Sequence, residues 1–204
     1  VNAADTDRAN PGPDDYRLVS RAEAFHGAIF SVFTDEVELP DGSQVRRDWV
    51  SNLGAVVIVA LDEQGRVALI RQYRQAVHET LWELPAGLLV EENPLQAAIR
   101  ELAEEVDLVA GRWDHLVELH TSPGFTTEFL RVYLARDLSP VPAERRYVRD
   151  QEEKFIQLNM VDLDDAVAMV LRGEITNAGA VAGILAAARA RDQQWRPLRP
   201  VSGA

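Results

Sequence analysis

The sequence predicts an α+β fold, a sandwich built on a mixed sheet, plus a small N-terminal β-region. Three observations carry that expectation. Strand-like segments come first, one well-capped helix follows, more strands come next, and two helices close the series, an order unlike alternating βαβ units. The segment Gly54–Leu61 (GAVVIVAL) is a continuous apolar run rich in β-branched residues, the pattern of a buried strand. With 47% hydrophobic and 26% charged residues, the 204-residue chain has an ordinary globular composition and can bury a sizeable core without covalent staples.

Along the chain, residues 1–15 are polar and interrupted by Asn10-Pro11-Gly12-Pro13, which predicts a disordered tail without the character of a signal peptide. Residues 16–50 form the expected N-terminal β-region. In it Ala24–Leu39 reads as one strand, Pro40-Asp41-Gly42-Ser43 as a turn, and Gln44–Val50 as a returning strand. Residues 51–192 form the expected main domain, and 193–204 a C-terminal tail. After the buried strand, Asp62-Glu63-Gln64-Gly65 turns the chain into a strand over Arg66–Arg74, and Trp82–Pro85 is short and extended. Asn93–Val106 is the clearest helix: Asn93 can cap it, Pro94 suits its first position, and Gln96 completes a capping-box pattern. Trp113–Thr121 and Phe129–Ala135 read as strands around the loop Ser122–Glu128. A charged loop, Arg145–Lys154, leads to a strand over Phe155–Val161 and helices over Asp162–Leu171 and Ala178–Arg191.

The composition narrows the function. There is no cysteine, so disulfides, thiolate metal sites and cysteine nucleophiles are excluded, and a bound metal must take oxygen or histidine nitrogen. The four histidines are scattered without ligand spacing. Thirty-three acidic against 21 basic residues give a net charge of −12, which argues against nucleic acid or an anionic membrane as partner. The apolar runs are too short to span a bilayer, and a cytoplasmic location is expected.

On the Asn93–Val106 helix, Leu95, Ile99, Leu102 and Val106 gather on one side, which faces the core, while Glu101, Glu104 and Glu105 share a narrower arc. Three carboxylates this close repel one another, and two lie near the helix C-terminus, where the macrodipole disfavours negative charge. A hard divalent cation such as Mg²⁺ removes that problem. Taken alone, such a cluster is more often a solvated acidic face.

The wider pattern changes the balance. Gly87, Glu92, Arg100-Glu101-Leu102, Glu104-Glu105 and Leu108 resemble the Nudix box, with two departures: four residues rather than five separate Gly87 from Glu92, and Asp107 stands where the box has its late glycine. Neither touches the carboxylates. The resemblance extends over roughly Ala24–Ala188, and Gln72-Tyr73-Arg74, Trp82-Glu83-Leu84-Pro85-Ala86-Gly87 and Ser122-Pro123-Gly124-Phe125 are similar to segments of the ADP-ribose pyrophosphatase branch.

That resemblance implies an α/β/α sandwich around the mixed sheet, and Mg²⁺-dependent hydrolysis of the diphosphate of ADP-ribose to AMP and ribose 5-phosphate, with Mn²⁺ able to substitute. It implies Glu101 and Glu105 as the principal metal ligands, the Ala86 carbonyl as another, and Glu104 binding directly or through water. Arg100 would orient carboxylates, with Glu92 in the same network. Arg74 and Arg47 would contact the diphosphate or terminal ribose, Glu83 would accept a ribose hydroxyl, Phe30 would stack on adenine, and Pro123 marks the ADP-ribose branch. Phe30 has a duller reading as a core or interface aromatic, and Arg47 as an edge-strand charge. The general base is expected outside the box, because carboxylates committed to a cation are poor bases. The resembling branch places it in the loop that corresponds to Arg145–Lys154, so Glu153 is expected, ahead of Glu152, with Glu104 next. The branch further implies a homodimer that exchanges N-terminal strands. The rivals are another nucleoside diphosphate sugar as substrate (GDP-mannose or ADP-glucose), a non-catalytic Nudix module that binds a nucleotide sugar, and a structural protein with an acidic helix.

Overall fold

The computed structural model describes residues 12–149 and 154–201. Most of the expected N-terminal tail and both candidate base residues, Glu152 and Glu153, lie outside them. The chain divides into two compact units. One comprises residues 1–52 and 122–127, the other residues 53–121 and 128–204.

The smaller unit is an antiparallel sheet in the order β1-β2-β3, formed by β1 (Arg17–His26), β2 (Phe30–Glu38) and β3 (Gln44–Asn52). Ala24–Leu39 is not one strand, because the chain turns at Gly27 and pairs His26 with Ser31, and β1 begins seven residues before the expected start. The signal was weak for a physical reason: every residue of β1 is exposed, so no in–out alternation was imposed on its side chains. One polar knot fixes the register of this sheet. The Arg21 guanidinium bonds both oxygens of Asp35 at 2.8 and 2.9 Å, and Trp49 Nε1 donates to Asp35 Oδ2 at 2.9 Å. Phe33 and Trp49 stack at 5.0 Å between ring centroids, and Arg21 lies 4.8 Å from the centroid of Trp49. Arg21, with help from Trp49, holds the Asp35 carboxyl below its usual pKa. The segment 122–127 joins this unit through Val50, whose N–H donates to the Phe125 carbonyl at 2.7 Å and whose carbonyl accepts from Thr127 N–H at 3.0 Å.

The larger unit contains β4 (Ala55–Ala60), β5 (Arg66–Arg74), β6 (Glu79–Glu83), β7 (Ala86–Leu88), α1 (Pro94–Val106), β8 (Leu108–His120), β9 (Phe129–Pro140), β10 (Gln157–Asp162), α2 (Leu163–Leu171), α3 (Ala178–Asp192) and β11 (Arg199–Pro200). One sheet runs β11-β8-β9-β4-β7 and a second β10-β5-β6. Among the described strands of the first sheet only β4 and β9 pair in parallel, so that sheet is mixed. The strand expected from Trp113 starts at Leu108, and the segment read as a tail contributes β11, which pairs with Asp114 and His115 of β8.

The apolar run that predicted β4 is buried throughout, and its alternation decides the layers. Val56, Ile58 and Ala60 pack with Leu95, Ala98, Leu102 and Val106 of α1. Val57 and Val59 face the other way, toward Leu163 and Ala166 of α2 and Ile184 and Ala187 of α3. That arrangement is an α/β/α sandwich. Burying one such aliphatic side chain contributes about 1.5–3 kcal/mol, so α1 is held mainly by its apolar face. Gly183 lets α3 lie close to the sheet, since a Cβ there would come within 2.8 Å of Leu84 Cδ1 and 3.0 Å of Val59 Cγ2. Among the described residues, no helix is long and apolar enough to cross a membrane.

Candidate active site

The site is built where β7 meets α1. The helix starts as its sequence requires: the Asn93 side chain accepts from Leu95 N–H at 2.9 Å and Pro94 occupies the first position. Anchored by its apolar face, α1 turns Glu101 and Glu105 inward, where they are only 9% and 6% exposed. The strand β7 is paired to β4 with Gly87 opposite Val56 and Ala86 opposite Val57, which fixes the Ala86–Gly87 backbone beside those carboxylates. Ala86 N–H donates to Glu105 Oε2 at 2.8 Å. At Gly87 the reason for glycine is contact: a Cβ would overlap the carboxyl of Glu101.

Arg100 gathers three of the remaining acidic groups. Its Nη2 bonds Glu92 Oε1 at 2.6 Å, and its Nη1 lies 2.8 Å from both Glu101 Oε1 and Glu104 Oε2. The bond to Glu92, followed by the charges of Glu101 and Glu104, pushes the guanidinium pKa above its already high ordinary value. One guanidinium thus serves three of four glutamates that would otherwise repel one another. Among the described residues, no three Asp, Glu or His side chains converge as they would around an ion. The donor set nevertheless fits a hard divalent cation. It is all oxygen, two of its carboxylates are buried, and its acidic charge exceeds what Arg100 neutralises.

On the neighbouring sheet, Arg74 and Glu83 meet in a bidentate pair, Nε to Oε1 at 2.8 Å and Nη2 to Oε2 at 2.6 Å. Glu83 is 2% exposed and lies opposite Ile70, on the α1 side of its sheet.

The larger unit therefore carries Arg74, Glu83, Ala86, Arg100, Glu101, Glu104 and Glu105, and brings the last five together with Glu92. Arg47, Phe30 and Pro123 belong to the smaller unit. Arg47 is exposed on β3, opposite Asp35, with Nη1 on the Arg46 carbonyl at 3.1 Å. Phe30 opens β2, 40% exposed and tilted against Phe25 with centroids 5.7 Å apart. Pro123 is exposed in the turn closed by Phe125 N–H on the Ser122 carbonyl at 3.1 Å.

One residue near the site had only a diffuse signal in the sequence, the arginine-rich run Arg145–Arg149 of the charged loop. Arg149 donates from Nε to the Glu104 carbonyl at 2.8 Å and from Nη2 to Asp107 Oδ2 at 2.7 Å. It stood in an arginine-rich run, but nothing local showed which of those arginines reaches α1, 42 and 45 positions away in sequence.

Residues 51–182 match the NUDIX domain family. The chain is 43% identical to the ADP-ribose pyrophosphatase of Mycobacterium tuberculosis, over 84% of this chain and 83% of that protein. It is 32% identical to the ADP-ribose pyrophosphatase of Bacillus subtilis, over 79% of this chain and 86% of that one. A crystal structure of an ADP compounds hydrolase shares the fold with a TM-score of 0.77 at 20% identity, covering 89% of this chain and 96% of the other. The loop shortened by one residue and the glycine replaced by Asp107 leave the family pattern standing, and the chain belongs to the Nudix family of hydrolases.

Proposed function

We propose that the protein hydrolyses the diphosphate of ADP-ribose, adding water across one phosphorus–oxygen bond to give AMP and ribose 5-phosphate. The observation that carries this reading is the cluster in which one guanidinium holds three glutamates and the Ala86 backbone N–H holds a fourth, in a chain 43% identical to an ADP-ribose pyrophosphatase. Glu101, Glu105, Glu104 and the Ala86 carbonyl would hold Mg²⁺, or Mn²⁺ in its place. When bound, the cation supplies Lewis acidity at the phosphoryl oxygens and neutralises negative charge.

The chain's own groups do the rest. Arg100 keeps the carboxylates apart and aligned, and Glu92 fixes Arg100. Arg74, positioned by Glu83, faces the diphosphate or terminal ribose, and Arg47 serves the same anionic groups. Phe30 stacks on the adenine, and Pro123 shapes the same subsite. Glu153, ahead of Glu152, takes the proton of the attacking water. What supports that assignment is covalent reach: Arg149 is bonded to the main chain of Glu104, and four residues of chain span at most about 14 Å.

A homodimer through the β1–β3 sheet accompanies this reading. Its support is an edge strand exposed from end to end, with Leu18, Val19 and Phe25 each at least 40% exposed, as is Phe30 of β2.

The deciding experiment is AMP release, with Mg²⁺, from a panel of ADP-ribose, ADP-glucose and GDP-mannose, the last assayed as GMP. ADP-ribose should give the highest kcat/KM. A preference for either hexose substrate would replace the substrate assignment, and tight nucleotide-sugar binding without turnover would replace hydrolysis.

A further inference from the structure

We propose that Arg149 and Asp107 form a positioning pair that sets the last turn of α1, and through it Glu104, for binding a divalent cation. The inference rests on the metal-dependent reading above and adds two residues to it.

Asp107 ends α1 with a left-handed backbone, φ 57° and ψ 34°. Every residue except glycine takes that conformation at a cost, and glycine is what helix ends of this kind usually carry. Aspartate tolerates that conformation better than most residues, and here its side chain is also engaged. Oδ2 accepts from Arg149 Nη2 at 2.7 Å, and the two side chains are 24% and 26% exposed. The Asp107 main chain is pinned as well, its N–H on the Leu102 carbonyl and its own carbonyl accepting from Val141 N–H at 2.8 Å.

The second bond of Arg149 links this cap to the chemistry. The Glu104 carbonyl belongs to the final turn, where helical carbonyls lack an intrahelical donor, and Arg149 Nε supplies one at 2.8 Å. Its positive charge also sits at the negative end of the helix, beside the glutamate cluster. With Glu104 held by its backbone, moving its carboxylate from Arg100 toward a cation needs only side-chain rotation. Loss of the pair lets the last turn fray, so that the third carboxylate is no longer presented at a fixed place.

The test uses the full chain with Asp107→Asn, Asp107→Gly, Arg149→Gln and Arg149→Lys. Mn²⁺ binding to the metal-free protein is followed by electron paramagnetic resonance, beside kcat, KM and thermal midpoint. Asp107→Asn and Arg149→Gln should each weaken Mn²⁺ binding by about 10–100-fold, the usual cost of losing a partner behind a metal ligand, and lower kcat similarly with little change in KM. Arg149→Lys keeps the charge without the two-pronged geometry and should fall between. Asp107→Gly is the informative variant. Glycine suits the backbone there, so the fold and thermal midpoint should hold while Mn²⁺ binding still weakens. Asp107→Asn/Arg149→Gln should be no worse than either single change. Wild-type Mn²⁺ affinity in Asp107→Gly or Arg149→Gln overturns the proposal, even if the thermal midpoint shifts, because the pair is then only a helix cap. If the wild-type chain itself binds no Mn²⁺, the metal-dependent reading fails and this inference with it, which separates the two failures.

Discussion

Arg74 and Glu83 are joined by two parallel hydrogen bonds of 2.8 and 2.6 Å, with the glutamate side chain 3% exposed and the arginine side chain 44% exposed. The asymmetry matters, because the buried partner depends on the exposed one. Arg74→Ala should destabilise the fold by about 2 kcal/mol, less than the 3–5 kcal/mol of a fully buried pair, because water reaches the arginine side. Arg74→Ala/Glu83→Gln should recover part of the loss. Urea unfolding of the three proteins checks both statements, and an Arg74→Ala protein as stable as wild type would show that Glu83 needs no partner. KM for ADP-ribose should rise in Arg74→Ala if the arginine also faces substrate.

Glu101→Gln and Glu105→Gln should each lower kcat by about 10²-fold or more with secondary structure unchanged, since each removes one charged donor from a preorganised cluster. Gly87→Ala should act through the same group, because the new methyl must displace the Glu101 carboxyl. Chelation with EDTA should abolish turnover in the wild type, and added Mg²⁺ should restore it. A glutamine variant that keeps wild-type kcat removes that residue from the ligand set.

Glu153→Gln, or failing that Glu152→Gln, should lower kcat by about 10²–10⁴-fold at saturating Mg²⁺ while leaving Mn²⁺ affinity nearly unchanged. The acidic limb of the pH–rate profile should disappear in the affected variant. If both variants keep full activity and the wild-type profile, Glu104 becomes the next residue to substitute.

Acid stability should depend on Asp35. Arg21 and Trp49 lower its pKa in the folded chain below the unfolded value of about 4. A depressed carboxylate contributes stability that is fully present above the unfolded pKa and is lost as pH falls through the folded one. Below about pH 4 the β1–β3 sheet should therefore loosen. Asp35→Asn should make its stability less steeply pH-dependent there, while lowering it at neutral pH. Acid titration followed by the fluorescence of Trp49, isolated by replacing the other tryptophans with phenylalanine, reads this directly. Superimposable acid transitions in the two proteins would mean that another group governs the sheet.

The sequence alone determined whatever depends on neighbours along the chain. The caps at Asn93 and Pro94, the apolar face of α1 and the two-faced burial of β4 were legible because helical and strand periodicities are local. The glutamate arc was legible for the same reason, and the spacing from Gly87 to Glu105 carried the family. Tertiary structure alone decided what depends on residues far apart. β1 went largely unread because a strand exposed along its length leaves no alternation to detect, and its pairing with β2 is set by partners rather than by pattern. The bidentate joining of Arg74 to Glu83, the packing of the Glu101 side chain on Gly87, and the reach of Arg149 to Glu104 and Asp107 all arise only once sheet pairing and helix packing fix side chains within about 3 Å, the range at which hydrogen bonds act.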